Sequence, residues 1–501
     1  MATGKALDGK PYAGNPHVRF DEGEVAPATT PRRGSLLYEM TRRTFFGASF
    51  AAGTCAVAGG GTATRGARFA EPGRELPVDD WADVIVCGGG PAGVAAAVAA
   101  ARAGKKVRLF ELRGCLGGVW TAGLLTYIFD FDKSATDREI MKRLDAYGAR
   151  TVDRPDAAGL AYYPDGLDKN WVYEPEYMKL VCEDMCLESG VRVTLHTTVV
   201  AAWRDAAGKN IATIVTESKS GRQAWRAKTF IDCTGDGDLA AQAGCGFDLG
   251  WTPDGFGQPA TLNALVVVKD GDAIRDYVSN EPAMWTRAVS KGKPICHHIE
   301  ASHRLRDLLR AQGLDPSYGD PTLFRCHDNL FCFMATHAYR LRLDDAQAIS
   351  DATIRARKEI FRLADALARL GGIWTGFRVA YTAEQIGHRD ARRIHGRYTV
   401  TRADVAAGRR FEDAVTESRF GIDIHGLDKK ANDERAAGQN FGAKFRPFQI
   451  PLRACRARDV DNLYMAGRCI SGDFIAHASY RVTGSSVAQG EAVGKAAAGL
   501  L

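Results

Sequence analysis

Ala82-Asp83-Val84-Ile85-Val86-Cys87 is a short apolar run suited to a buried parallel strand, and Gly88-Gly89-Gly90-Pro91-Ala92-Gly93 follows it as G-x-G-x-x-G. Val94 to Ala103 is alanine-rich with a helical pattern, and Lys106-Val107-Arg108-Leu109-Phe110 reads as a second strand ending at Glu111. Each residue type has a task. Gly88 permits the tight turn, Gly90 lets backbone approach a pyrophosphate, and Gly93 allows close helix–strand packing. The helix that Pro91 and Ala92 open directs free N–H groups at phosphates. Glu111, 23 residues after Gly88, is placed to accept ribose hydroxyls. A glycine motif alone is a weak signal; strand, glycines, helix, strand and acid in register specify a dinucleotide-binding unit.

That unit alone suits NAD or FAD, and two later features favour FAD. Gly117-Gly118 lies just past Glu111, within Arg113-Gly114-Cys115-Leu116-Gly117-Gly118-Val119-Trp120-Thr121-Ala122-Gly123. A second flexible loop so close suits a longer ligand crossing the domain. Phe230-Ile231-Asp232-Cys233-Thr234-Gly235-Asp236-Gly237-Asp238 is an apolar strand ending in Thr-Gly-Asp-Gly. It resembles the strand end that closes over FAD in two-dinucleotide-type flavoproteins, which assigns Thr234, Gly235 and Asp236 to the cofactor. No second G-x-G-x-x-G context appears, so a separate NAD(P)H domain is not expected.

From Ala82 to Leu501 the chain resembles the broad FAD-dependent oxidoreductase family, related more distantly to the fumarate-reductase-type flavoproteins. Further blocks that carry the resemblance are Ile386 to Gly396, Phe420-Gly421-Ile422-Asp423-Ile424-His425, and Asp461 to Arg468, continuing to Arg481 and Gly490. His388 departs from the usual apolar residue of its block. The resemblance implies a hydride-transferring flavoenzyme, in a family that is broad in substrate.

The expected fold is mixed α/β: a Rossmann-like FAD-binding domain with a parallel sheet and a small antiparallel insert, plus an inserted α+β substrate domain. Asn462 to Gly467 reads as a strand entering a glycine turn, and Ser485 to Leu500 as a small-residue helix with Gly484 and Ser485 near its start. That N-terminus is expected at the flavin N1/C2=O edge, where reduction places negative charge. The FAD-binding domain is therefore split between residues 78–250 and 447–501, with the substrate domain over 251–446. Val191 to Ala201, Ile211 to Glu217 and Gln223 to Ile231 are expected to pair as the antiparallel insert, and Asp344 to Leu370 to form a long amphipathic helix with Ile354, Ile360, Phe361, Leu363, Ala364 and Leu367 on its apolar face.

The 501 residues are 45% hydrophobic and 25% charged, ordinary for a globular protein of two or three structural units. Residues 1–70 hold nine Lys/Arg against five Asp/Glu, so the leader supplies +4 of the net +6. A nucleic-acid partner would require basic charge on the folded part, and none is expected. Residues 1–39 are polar and rich in Pro and Gly, as a disordered leader would be. Thr41-Arg42-Arg43-Thr44-Phe45-Phe46 and the uncharged stretch to Thr64 resemble a twin-arginine export signal over residues 40–70. Met40 is the expected true start. The partners this implies are the twin-arginine export machinery, a small-molecule substrate and an electron acceptor that is oxygen, a quinone or a small redox protein. The product is an exported, periplasmic or extracellular protein without a stable membrane span.

Twelve cysteines carry no CxxC pair or metal-ligand spacing, and no metal is expected. Cys182 and Cys186 sit one helical turn apart with Met178, Val181 and Met185, a core face rather than a redox pair. Cys115 reads as a packed thiol in preference to a covalent flavin anchor.

Proton transfer at a flavin site calls for a base, and histidine has the intrinsic pKa for it. His425 is the first candidate and His477, in Phe474-Ile475-Ala476-His477-Ala478-Ser479-Tyr480-Arg481, the second; a hydrogen-bonded structural histidine is the competing reading for both. Arg389, Arg392, Arg393 and Arg397 recur at three- and four-residue spacing and would share one helical face. Arg389 is the favoured catalytic arginine, Arg393 and Tyr480 the favoured substrate contacts, and Gly467, Arg468 and Arg481 cofactor contacts. An NAD-dependent Rossmann dehydrogenase and a non-catalytic exported FAD-containing binding protein are the rival functions.

Overall fold

The glycine motif sits at the centre of a five-stranded parallel sheet. Its strands are β1 (Val84–Cys87), β2 (Val107–Phe110), β3 (Arg192–Thr194), β4 (Thr229–Asp232) and β5 (Leu463–Met465), in the spatial order β5-β4-β1-β2-β3. The computed structural model describes residues 73–131, 133–152, 171–281, 289–290, 293–294, 297–390, 392–433 and 442–501. The leader, with Met40 and the twin arginines, lies outside them.

β1 is buried along its whole length, as an unbroken Val-Ile-Val-Cys run with both faces covered should be. Helix α1 (Pro91–Arg102) follows it, with Pro91 in the first turn, where its missing N–H costs nothing. The helix Thr483–Ala497 at the other end of the chain packs along α1. A Cβ on Gly490 would stand 2.1 Å from the Ala92 carbonyl, and one on Gly494 2.3 Å from that of Ala96. Bare glycines four residues apart thus let two backbones touch. The contact joins the first and last segments of the described chain into one hydrophobic core with Phe110, Trp120, Phe230 and Leu463.

The run between residues 191 and 232 divides between two sheets. Thr198–Arg204, Ile211–Ser218 and Gly221–Trp225 form antiparallel ladders, and Val78–Asp79 pairs in parallel with the last of them at the edge. The flanking pieces, β3 and β4, belong to the parallel sheet. The predicted strands Val191 to Ala201 and Gln223 to Ile231 are therefore each two strands, broken where the chain changes sheet.

A second core surrounds an antiparallel sheet of Thr322–His327, Leu330–Met334, Asn263–Val267 and Arg378–Thr382. Helix α2 (Ala346–Leu370) lies against it, started by the Asp345 carboxylate, which accepts the Ala348 N–H at 3.0 Å. Ile360, Leu363 and Leu367 are fully buried, each worth about 1.5–3 kcal/mol against exposure. Ile354 and Phe361 instead face solvent at 49% and 47% exposure, because the apolar stripe is narrower than the apolar residues available to it. Cys182 and Cys186 pack with Met178, Val181 and Met185 in the core. No helix among the described residues is long and apolar enough to cross a membrane.

Candidate functional site

A cleft of about 1070 Å³, counting the part open to solvent, runs along the carboxyl ends of β1 and β4. Ligands of open parallel sheets bind at such strand ends. Gly88, Gly90, Pro91, Ala92, Glu111, Gly118, Thr234, Gly235, Asp236, Gly467, Arg468 and Arg481 line it, so segments hundreds of residues apart converge as the motifs implied.

The cradle is built from close approaches. Gly88 has φ +100°, and a Cβ there would stand 2.3 Å from the Cys233 carbonyl oxygen. A Cβ on Gly93 would stand 1.8 Å from the Gly88 oxygen, so Gly93 supports the turn from beneath. Gly90 differs: a Cβ there would meet nothing nearer than the Gly118 Cα at 4.0 Å. Its bare face opens onto the cleft at the N-terminus of α1, where backbone N–H groups and the helix dipole favour an anion. The Glu111 carboxylate accepts the Gly89 N–H at 2.6 Å and the Arg113 N–H at 2.9 Å. Those bonds fix it at the rim with lone pairs left for ribose hydroxyls.

Asp232 organises the opposite wall. Buried beneath the Thr234 turn, its carboxylate accepts the Thr234 N–H (3.0 Å), the Thr234 hydroxyl (2.7 Å) and the Ala240 N–H (2.9 Å). Arg468 donates to Asp236 at 3.0 Å across the cleft wall. Asp238 pairs with Arg392 at 2.7 Å; burial, then the Asp236 and Asp232 charges, push its carboxyl up to about 6.

Near the far end the chain enters α3 (Phe474–Tyr480) and α4 (Thr483–Ala497). Thr483 and Ser486, three residues apart on one face of α4, line the cleft. Gly484 and Ser485 face inward instead. Gly484 packs under the Phe129 and Asp130 carbonyls, and the Ser485 hydroxyl lies 3.0 Å from Lys133 Nζ and 3.3 Å from Asp130 Oδ2. Gly117 and Gly93 likewise shape the wall from behind rather than lining it. Arg113, Thr197, Thr198 and Gln385 also line the cleft without a motif to announce them.

Arg481 joins the cleft to a partly buried polar cluster. Its guanidinium donates to Asp423 Oδ2 at 2.8 Å and to the Asp423 carbonyl at 3.1 Å. His425 Nε2 stands 3.4 Å from the same Oδ2. The irregular backbone over residues 421–426 lets Asp423 and His425 meet. Arg389 donates to the Pro259 carbonyl at 2.5 Å and to Thr261 Oγ1 at 2.9 Å. Burial, reinforced by Arg481, lowers the Arg389 pKa to about 10. His425, then Arg481 and Arg389, hold the Asp423 carboxyl well below the usual carboxylate range, against its burial. Burial, then Arg389, lowers the His425 pKa, with Asp423 opposing. Two guanidiniums and one carboxylate thus surround the His425 imidazole.

The other candidates lie elsewhere. His477 is fully buried on α3, 3.5 Å from Asp390, with neither ring nitrogen hydrogen-bonded to another described residue, and burial lowers its pKa strongly. Tyr480 is buried with its hydroxyl donating to the Ile470 carbonyl at 3.1 Å. Arg393 donates to the Gly472 and Gly250 carbonyls at 3.1 and 2.8 Å, a clamp between loops. Arg392–Ile394 is a strand paired with Phe247–Leu249 rather than a helix. The arginine spacing therefore does not make one face: Arg392 reaches Asp238, Arg393 the loop carbonyls, and Arg397 Asp461. His388 is partly buried, its Nε2 without a partner among described residues, beside the charges of Asp236 and Arg468. Cys115 is a buried thiol 3.6 Å from Thr121 Oγ1, its pKa raised by burial. No group of acids, histidines and cysteines among the described residues has metal-binding geometry.

The cleft fits a flavin dinucleotide: a bare glycine cradle, a rim carboxylate, and the N-termini of two long helices, α1 and α4, on one groove. A profile described as FAD dependent oxidoreductase matches residues 83–501. No curated protein matches the chain by sequence. Among solved structures, a geranylgeranyl bacteriochlorophyll reductase-like protein from Thermoplasma acidophilum is 12% identical, covering 85% of this chain and 78% of its own at TM-score 0.38. The p-nitrophenol 4-monooxygenase from Pseudomonas putida is 15% identical, covering 64% and 71% at TM-score 0.38.

Proposed function

The chain belongs to the FAD-dependent oxidoreductase family, and from that premise we propose that it transfers a hydride between a small organic substrate and flavin N5. Gly88, Gly90 and the first turn of α1 would hold the pyrophosphate, Glu111 a ribose, and Thr483 with Ser486 the flavin end. Bound there, FAD supplies the two-electron acceptor.

The remaining tasks fall to side chains. The observation that carries the reading is Arg481, which lines the cleft and also bonds Asp423, the carboxylate beside His425. That contact supports a base candidate beside the cofactor groove. Asp423 accepts from the Nε2 side of His425, which leaves Nδ1 as the lone-pair nitrogen for a substrate proton. Arg389 and Arg481 outnumber the one carboxylate they share, so the site favours an anionic substrate group. The 251–446 segment, which carries Arg389, Asp423 and His425, is the proposed substrate domain.

Anaerobic addition of candidate substrates to the yellow protein tests this. Bleaching of the flavin band, slowed at least tenfold in His425→Gln, is expected; a flavin that sodium dithionite reduces but no organic substrate bleaches would favour the non-catalytic binding protein. We further propose export before function, supported by Thr41-Arg42-Arg43-Thr44-Phe45-Phe46.

A further inference from the structure

His337 and Tyr339 lie beside His425 with their hydrogen-bond roles determined by neighbours. The Tyr339 hydroxyl donates to the Ser317 carbonyl at 2.8 Å, which uses its only proton. His337 Nδ1 lies 3.2 Å from that hydroxyl oxygen, which has only lone pairs left, so Nδ1 must carry the imidazole proton. Nε2 is then bare. It is buried and has no hydrogen-bond partner among the described residues.

The frame behind this arrangement is fixed. Ser317 donates its N–H and its hydroxyl to Glu359 of α2, both at 2.7 Å, and its Oγ accepts the His337 N–H at 2.8 Å. Tyr318 packs on the His337 ring at 4.2 Å between centroids, and the His425 ring stands edge-on at 5.2 Å. A buried acceptor left bare costs about 1–3 kcal/mol, and folded proteins leave few of them.

The surroundings select the donor that would satisfy it. Burial, then the charge of Arg389, holds the His337 pKa well below the ordinary imidazole value. A neutral Nε2 accepts a hydrogen bond. Arg389 and Lys429 oppose an ammonium group, while the guanidinium excess over Asp423 attracts a carboxylate. We propose that His337 Nε2 receives a substrate hydroxyl, so that the site selects hydroxy acids over their deoxy and amino counterparts. This rests on the reading of the Arg481–Asp423–His425 cluster as the substrate site. Ser317 and Tyr339 are positioning residues that hold His337 in one tautomer.

Two matched series test it on the oxidised holoprotein: lactate, propionate and alanine, then mandelate, phenylacetate and phenylglycine. Binding is read from perturbation of the flavin absorbance, which requires no turnover. In at least one series the hydroxy acid should bind about tenfold or more tighter than both counterparts, the ratio one buried hydrogen bond supplies. His337→Phe should abolish that preference. Tyr339→Phe, a milder change that keeps the ring, should reduce it and release the His337 proton from Nδ1 in histidine nitrogen NMR spectra. Equal binding across both series, a preference unchanged in both variants, or a wild-type spectrum with Nε2 protonated would overturn the proposal. Lost preference in a protein whose flavin is still bleached removes this inference alone; retained preference without any bleaching removes hydride transfer and leaves the recognition.

Discussion

Gly90→Ala separates ligand binding from folding because the protein itself leaves room for the added methyl. Gly90 has φ −72° and ψ −171°, a conformation any L-residue adopts. Its nearest non-neighbour atom to the new Cβ is the Gly118 Cα at 4.0 Å, an ordinary contact. The ligand-free variant should therefore keep its stability within about 0.5 kcal/mol of the parent, or gain slightly from a less flexible unfolded chain. The methyl projects into the cleft beside the first N–H groups of α1. Displacing a phosphate oxygen from one charged hydrogen bond costs about 1.5–3 kcal/mol, roughly ten- to a hundredfold in the FAD dissociation constant. Deflavinated protein titrated with FAD, followed by flavin fluorescence, measures that constant, and thermal unfolding without FAD measures the stability. Gly93→Ala is the contrast, since its methyl would fall 1.8 Å from the Gly88 oxygen and must disrupt the turn with or without ligand. Parental FAD affinity in Gly90→Ala would refute the placement of the pyrophosphate.

Other expectations follow from the same geometry. His337, His425 and His477 all have folded pKa values below the ordinary 6.5, so below that pH the unfolded chain binds more protons. Their stabilising contribution is present above pH 6.5 and is lost as pH falls from there towards the folded values, with a slope of up to about 4 kcal/mol per pH unit for three groups. Denaturant midpoints at pH 7.5 and 5.5 should show this, with a shallower dependence in His477→Gln. Leu363→Ala should lower stability by about 2–5 kcal/mol, while Phe361→Ala, half exposed on the same helix, should change it by about 0.5 kcal/mol or less; equal effects would contradict the phase of α2. Asp423→Asn takes the carboxylate from Arg481; the Asp423 side chain is 37% exposed, so the change should cost about 1 kcal/mol or less as a solvent-screened pair, read by chemical unfolding. Replacing Arg42 and Arg43 by Lys should retain the precursor inside cells fractionated after expression, against export of the parent.

The cleft at the carboxyl edge of the sheet was legible because its signals are local. A strand, a glycine turn and a helix are each written in a few consecutive residues, and Gly88, Glu111, Thr234 and Arg468 stand where such units put them. The phase of α4 was missed by one position: Thr483 and Ser486 face the groove, while Gly484 and Ser485 face Asp130, which depends on what packs behind the helix. Arginines at helical spacing over 389–397 belong to a strand because Phe247–Leu249 pairs with it, and spacing alone carries no trace of that partner. The run 191–232 misled for a related reason, since two sheets draw on one continuous β-rich stretch. His337 and Tyr339 gave no signal at all. Their meaning comes from Ser317, Glu359 and His425, which only the folded chain brings within reach.

The most direct test of the central claim is the absorbance spectrum of the purified protein, before and after acid precipitation, followed by reconstitution of any colourless fraction with FAD. The expected result is a flavin spectrum, or full recovery of one at equimolar FAD, that Gly90→Ala weakens without unfolding. A folded, colourless protein that takes up no FAD would contradict it.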